Sequence, residues 1–401
     1  MTVTALTTGS DCWWQSKSGP EWVRQADGTY RVTFWWRDPK GDERTSPIRR
    51  VWIYITGVTD HHQNALPQSL RRIAGTDVWC WSTTLSAGWR GSYCFIPSPR
   101  ADVFASAAGE VPDRTTLREG WQQLLPQAIA DPLNPASWLG GRGHAVSALE
   151  MPDAPLQPGW DCPQPPLSSA KLLQWRSERL GNTRRVWLFT TGEAQAGERP
   201  LAILLDGQFW AQSMPIWPAL TALTRQGRLP AAVYLLIDAI DNRRRALELP
   251  CNADFWLAVQ QELLPQVKAV APFSDCPDRT VVAGQSFGGL SALYAALRWP
   301  MRFGCVLSQS GSYWWPHRSG QRDGQLIEQL RAGELSASGL RIVLEAGIRE
   351  PTILQANQAL YHQLQHTQQV VFWRQVDGGH DALCWRGGLT QGLIDLWQPV
   401  A

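Results

Sequence analysis

The chain of 401 residues is predicted to fold as a doubly wound α/β domain with a mostly parallel sheet, preceded by an all-β sandwich module. Three observations predict it. Residues 1–150 hold short apolar and aromatic runs broken by turn residues, residues 151–170 are rich in proline, and residues 171–401 alternate strand-like with helix-like segments. The length suits one large domain with a smaller partner rather than a single body.

In the first segment, Tyr30–Trp36, Arg50–Ile55, Val78–Leu85 and Tyr93–Ile96 read as strands, with turns at Ala26-Asp27-Gly28 and Ala87-Gly88. Val51, Ile53 and Ile55 alternate with Trp52, Tyr54 and Thr56, which gives one strand two different faces, as in a sandwich. Residues 106–170 read as irregular, and Pro152, Pro155, Pro158, Pro163, Pro165 and Pro166 mark an extended linker over 151–170.

From 171 onward, Leu172–Trp175 and Arg184–Thr190 flank Gly181-Asn182 as a hairpin. Strands then follow at 201–206, 232–237, 280–283, 305–308, 341–344 and 370–376. They alternate with helices at 215–226, 253–270, 289–298, 324–332, 352–364 and 387–397. Such alternation builds a parallel sheet covered on both faces, with reactive groups at the carboxyl ends of its strands.

Composition narrows the function classes. Lys+Arg total 37 and Asp+Glu 35, a formal charge of +2 that argues against a nucleic-acid partner and against an acidic disordered tail. The apolar runs are strand-sized, far short of the roughly 20 residues of a membrane span, and Met1–Trp14 lacks the basic and apolar stretches of a signal peptide. A soluble cytoplasmic protein without a membrane partner is expected. Cys12, Cys80, Cys94, Cys162, Cys251, Cys276, Cys305 and Cys384 form no CxxC pair and read as reduced thiols, with Cys80/Cys94 the one disulfide considered. Trp occurs 23 times, more than core packing alone explains.

Chemistry concentrates at three strand ends. Gly284-Gln285-Ser286-Phe287-Gly288 fits GxSxG between a buried strand and a helix, a strained turn that lifts the Ser286 hydroxyl above the sheet as a nucleophile. A serine needs a base, and Asp377-Gly378-Gly379-His380-Asp381 follows the last strand, with glycines that let His380 bend back over the sheet. His61, His62 and His144 lie outside this domain, His317 sits after a strand end, and His362 and His366, four apart on a helix, lack the further ligand of a metal site.

The acid that orients the base is expected after 341–344, at Glu350, with Glu345 the alternative because it still belongs to the strand; Asp377 and Asp381 also remain open. An oxyanion needs preset donors. The backbone N–H of Phe287 supplies one, and the loop after Leu204-Leu205-Asp206-Gly207 offers the N–H of Gln208 as the second.

Leu205-Asp206-Gly207, Gln285-Ser286-Phe287-Gly288-Gly289 and Asp377-Gly378-Gly379-His380-Asp381 with Trp385 resemble the esterase-D-like branch of the α/β-hydrolases. The order of the two modules, with Val51-Trp52-Ile53-Tyr54 and Gly387-Gly388-Leu389, resembles the enterochelin (enterobactin) esterases over the whole chain. That resemblance implies an α/β-hydrolase fold behind an immunoglobulin-like N-terminal domain that helps form the substrate cleft. It also implies a cytoplasmic enzyme that opens the trilactone of a ferric siderophore to 2,3-dihydroxybenzoyl-serine. In related hydrolases the acid is often Asp in a GxxD loop, where this chain has Glu350. No cofactor is implied, iron entering only with the substrate.

A ferric tris-catecholate is polyanionic and aromatic, so its site should combine arginine with flat side chains. Arg243, Arg244 and Arg245 on an expected strand-end loop, Arg349, and Trp210, Trp217, Trp314, Trp315 and Trp385 are the candidates. Two other readings remain open: a serine esterase or acyltransferase acting on another aryl or carbohydrate ester, and a carbohydrate-binding protein with a silent hydrolase scaffold.

Overall fold

In the computed structural model the residues described are 7–63, 65–104, 111–140, 143–161, 170–193, 195, 198–317, 323–365 and 370–398. Cys162, the linker prolines Pro163, Pro165 and Pro166, and His366 lie outside them. The contacts divide the chain into two compact units: Met1–Pro155 with Asp377–Cys384, and Leu156–Val376 with Trp385–Ala401.

The first unit contains α1 (Asp11–Gln15), β1 (Glu21–Arg24), β2 (Tyr30–Arg37), β3 (Arg50–Ile55), β4 (Ser69–Arg72), β5 (Val78–Leu85), β6 (Arg90–Ser98), α2 (Arg114–Leu124), β7 (Ser137–Leu139) and β8 (Ala145–Glu150). Its strands run antiparallel in the order β1-β2-β5-β4-β3-β6-β8-β7. The two faces of β3 explain the core. Val51, Ile53 and Ile55 pack with Val32, Phe34 and Phe95, while Trp52 and Tyr54 pack with Trp121 in a separate cluster. Both faces are therefore apolar, and the second needs a cover.

That cover corrects the expectation of irregular chain over 106–170. The Asp113 carboxylate caps α2 by accepting from Thr115 N–H (2.8 Å) and Thr116 N–H (3.0 Å). Leu117, Trp121 and Leu124, one stripe at helical spacing, are buried, with the Trp121 ring 4.9 Å from that of Tyr54. Farther on, β8 joins the sheet beside β6, Tyr93 opposite Ser147.

The second unit contains β9 (Lys171–Ser177), β10 (Asn182–Thr190), β11 (Leu201–Leu204), α3 (Trp217–Arg225), β12 (Val233–Ile237), α4 (Asn242–Glu248), α5 (Ala253–Ala258), α6 (Leu264–Val270), β13 (Thr280–Gln285), α7 (Phe287–Arg298), β14 (Cys305–Gln309), α8 (Gln325–Arg331), β15 (Arg341–Gly347), α9 (Pro351–Leu364), β16 (Val370–Val376) and α10 (Ala382–Trp397). The sheet order is β16-β15-β14-β13-β11-β12-β10-β9, parallel except at β9–β10 and β10–β12. Strands β11, β12, β13 and β14 are buried along their whole length, as a sheet covered on both faces requires. The chain leaves β11 for β12 on one side and returns to β13 on the other, a switch point where the carboxyl-end loops of β11 and β13 open a crevice.

Two local expectations change. Residues 242–248 form α4 rather than a loop, because Asp241 caps Arg244 N–H (2.7 Å) and the Arg-Ala-Leu-Glu run has high helix propensity. The helix expected over 253–270 is interrupted by a π turn at Val259–Leu263. The described cysteines are all outside disulfides, and Cys80 and Cys94 occupy β5 and β6, which are not neighbours. Among the described residues, no helix is long and apolar enough to cross a membrane.

Candidate active site

Ser286 stands between β13 and α7 with φ +59° and ψ −120°, a left-handed conformation that costs a non-glycine residue about 1–3 kcal/mol and persists only where the surroundings impose it. Those surroundings are tight. A Cβ at Gly284 would stand 2.4 Å from the carbonyl carbon of Gly288, so only glycine lets the strand end pass the first turn of α7. Ser286 N–H donates to Gln309 O (3.0 Å), and Ser312 N–H donates to Ser286 O (3.1 Å). The Ser286 hydroxyl, partly exposed, lies 3.3 Å from that of Ser312. As the first residue of α7, Phe287 has an N–H with no acceptor inside the helix.

The loop after β11 faces the same crevice. Asp206 is left-handed at φ +53°, and a Cβ at Gly207 would fall 2.4 Å from the backbone of Leu236, so the loop is pressed against β12. The Gln208 side-chain oxygen accepts from Ala239 N–H (3.0 Å), which fixes the residue whose N–H is the second expected oxyanion donor. Arg245 was expected to meet substrate. Its guanidinium instead forks onto Asp206 (2.6 and 2.8 Å) and reaches Gln285 O (3.2 Å). Burial opposes its charge, but Asp206 more than offsets that and raises its pKa above the usual arginine value.

Trp210 also departs from the expected substrate contact. It is 1% exposed, and its indole N–H donates to the side chain of Gln285 (3.0 Å). This begins a buried chain: Gln285 donates to Gln309 (2.9 Å), and Gln309 donates to Glu345 (2.6 Å) and to Trp385 O (2.8 Å). The Glu345 carboxylate ends it, 3.3 Å from the Arg374 guanidinium. Burial pushes the Glu345 pKa up, against the opposing pull of Arg374 and Gln309.

Glu350 is equally buried but points elsewhere. Its carboxylate accepts from the Ser310 hydroxyl (2.7 Å) and from Gly347 N–H (3.1 Å), and Trp385 indole N–H in turn donates to Ser310 Oγ (2.9 Å). Ser310 is itself left-handed, at φ +48°.

In the first unit, the loop of His380 is pinned at several points. Asp377 accepts from the Ser86 hydroxyl, Asp381 from Ser92 N–H and from Leu383 N–H (3.1 Å), and the Cys384 thiol donates to Arg90 O (3.0 Å). A Cβ at Gly379 would lie 2.6 Å from Gly57 N. His380 is partly exposed, and the His62 ring packs 5.3 Å from its own, with His61 4.1 Å behind and the Tyr54 hydroxyl 2.8 Å from His61 Nδ1. Asp377 and Asp381 thus serve as anchors of the loop.

The remaining candidates lie on several elements. Arg243 and Arg244 are exposed on α4, Arg244 3.8 Å from Glu248, and Arg349 is half-buried in the turn before α9. Trp314 is half-buried, 5.9 Å from the Phe287 ring; Trp217 is buried; Trp315 and Trp385 are half-buried. His317 donates its N–H to Trp314 O (2.9 Å), and His362 is exposed on α9. Among the described residues, no three His, Cys, Asp or Glu side chains are arranged to hold a metal ion. Sequence reasoning missed Ser310 and Ser312, whose one signal was the Ser308-Gln-Ser-Gly-Ser312 run after β14, and missed His62 beside His380.

A strained serine after the central strand of this sheet order, preceded by a glycine that cannot be replaced without a clash, defines the α/β-hydrolase class, here as a carboxylic ester hydrolase. Residues 31–160 match the family described as enterochelin esterase, N-terminal, and residues 177–396 match putative esterase. The iron(III) enterobactin esterase of Escherichia coli O6:H1 is 74% identical over 398 residues, 99% of each chain. The ferric enterobactin esterase of Salmonella typhimurium superposes with a TM-score of 0.94 at 74% identity, covering 97% of this chain and 99% of its own. The enterobactin esterase of Shigella flexneri, solved in the presence of enterobactin, superposes at 0.91 with 71% identity, over 98% of this chain and 100% of its own. The chain belongs to the enterobactin (enterochelin) esterase family.

Proposed function

We propose that the chain hydrolyses the trilactone esters of ferric enterobactin, with Ser286 as nucleophile, His380 as base and Glu350 as the acid that orients it. The observation that carries the nucleophile is the strained Ser286 turn, and full-length similarity to enterobactin esterases carries the substrate. Ser286 Oγ attacks a lactone carbonyl while His380 takes its proton, and the oxyanion meets the N–H groups of Phe287 and Gln208. The intermediate collapses as His380 returns the proton to the departing seryl oxygen. Water, deprotonated by His380, then cleaves the acyl-enzyme to a carboxylic acid and restores Ser286. Repetition gives 2,3-dihydroxybenzoyl-serine.

Cutting the ring converts three catechols held together into separate, weaker ligands, so iron can leave. The chemistry proceeds on protein groups, with iron as cargo of the substrate. Glu350 is preferred to Glu345 because Glu345 lies within strand β15 and is paired with the Arg374 guanidinium, whereas Glu350 stands in the loop after the strand. Arg243, Arg244 and Arg349, with Trp314 and Trp385, are the groups that would meet the anionic catechols; Arg245 and Trp210 leave that set. The first unit would be immunoglobulin-like, and the place of action the cytoplasm. Other esters, acyl transfer and carbohydrate binding are not favoured by relatives alike over the full length. A fluorophosphonate should label the protein once, at the peptide containing Ser286, and Ser286→Ala should abolish the label; labelling elsewhere would overturn the assignment.

A further inference from the structure

We propose that Arg245 is a positioning residue that locks the two halves of the oxyanion hole together, an inference that rests on the donor assignment made above for Phe287 and Gln208. Asp206 and Ser286 are both non-glycine residues in left-handed conformations, each one or two residues from an oxyanion donor. Neither conformation is favourable by itself. One guanidinium bridges them: Nε and Nη2 take the two carboxylate oxygens of Asp206, and the same Nη2 takes the carbonyl of Gln285, the residue before Ser286. A planar fork holds a carboxylate in one orientation, which a flexible ammonium does not.

Arg245 is itself well anchored. Asp241 caps the start of α4, and Glu248 near its end pairs with Arg184 and accepts from the Asn182 amide (2.7 Å). The clamp also has an electrostatic consequence. Asp206 Oδ2 lies 3.5 Å from where a Gly288 side chain would begin, so an uncompensated carboxylate there would oppose negative charge developing beside α7. Arg245 cancels that charge where it arises.

The test compares Arg245→Ala, Arg245→Lys and Asp206→Asn with the parent enzyme on ferric enterobactin and on a simple aryl ester, rates being divided by the active fraction counted from the endpoint of fluorophosphonate labelling. Arg245→Ala should lower kcat about 10- to 100-fold on both esters, KM staying within about threefold, because donor geometry matters most in the transition state. Affinity for a phenylboronic acid, which mimics the tetrahedral intermediate, should fall in parallel with kcat. Arg245→Lys should show the same split at smaller size, and it stands in if the alanine variant does not fold. A normal kcat per active site in both arginine variants, or a loss confined to KM or to thermal stability, overturns the proposal. Activity surviving in Ser286→Ala would instead overturn the underlying reading.

Discussion

The turn that carries Ser286 is built from nearby chain: its hydroxyl partner Ser312 is 26 positions away, and the glycines that shape it are immediate neighbours. The loop that carries His380 is held by Ser86, Ser92 and Arg90, 289 to 294 positions distant. The first is secured by close approach, where backbone occupies the space a side chain would need. The second is secured by hydrogen bonds to groups that folding must bring from far along the chain. A local device holds Ser286, the proposed nucleophile, rigid, and a non-local one makes His380, the proposed base, depend on the integrity of the β-rich unit.

Glycine substitutions break this comparison most sharply. Gly284→Ala should destabilise the fold by about 1–3 kcal/mol in denaturant titration and abolish most activity, because a strand–helix junction cannot move to make room. Gly288→Ala, whose nearest atoms would be 3.5 Å away, should shift stability by no more than about 0.5 kcal/mol. Gly379→Ala should fall between them: a loop can yield, so kcat should drop about tenfold or more while thermal stability changes less than for Gly284→Ala.

Asp381→Asn sharpens the second half. Losing a charged acceptor for Ser92 N–H and Leu383 N–H should cost about 1–2 kcal/mol, with hydrogen exchange at Ser92 accelerated and activity lowered several-fold. An unchanged exchange rate would mean that the loop is held by something else.

These contrasts also explain what was legible in the sequence. The Ser286 turn is a short-range pattern of small residues between two regular elements, and the alternating strands and helices of residues 171–401 show their periods directly. Helix α2 was hidden because its stripe of Leu117, Trp121 and Leu124 lies in polar chain beside prolines, and its reason for existing is the apolar outer face of β3. Arg245 and Trp210 were assigned by residue type, which announces charge or flatness but not the partner. Asp206 and Gln285 claim them, and both contacts are non-local. His62 likewise lay too far along the chain from His380 for spacing to connect them.

The smallest effect concerns the acid left out of the mechanism. Burial raises the Glu345 pKa, so as pH rises above the ordinary carboxylate range the unfolded chain releases this proton before the folded one does. Stability from Glu345 is therefore present at low pH and lost as pH climbs toward the raised value. Glu345→Gln should flatten that part of the pH–stability curve while leaving kcat within a few-fold; a loss of activity as severe as that of Glu350→Gln would reassign the acid.

The most direct measurement is chromatography of the products formed from ferric enterobactin by the parent enzyme, Ser286→Ala and His380→Ala. Linear trimer, dimer and monomer should appear in turn with the parent, and each variant should be slower by roughly 10⁴-fold or more. An intact macrocycle beside rapid turnover of a simple aryl ester, or parent-like rates in either variant, would contradict the account.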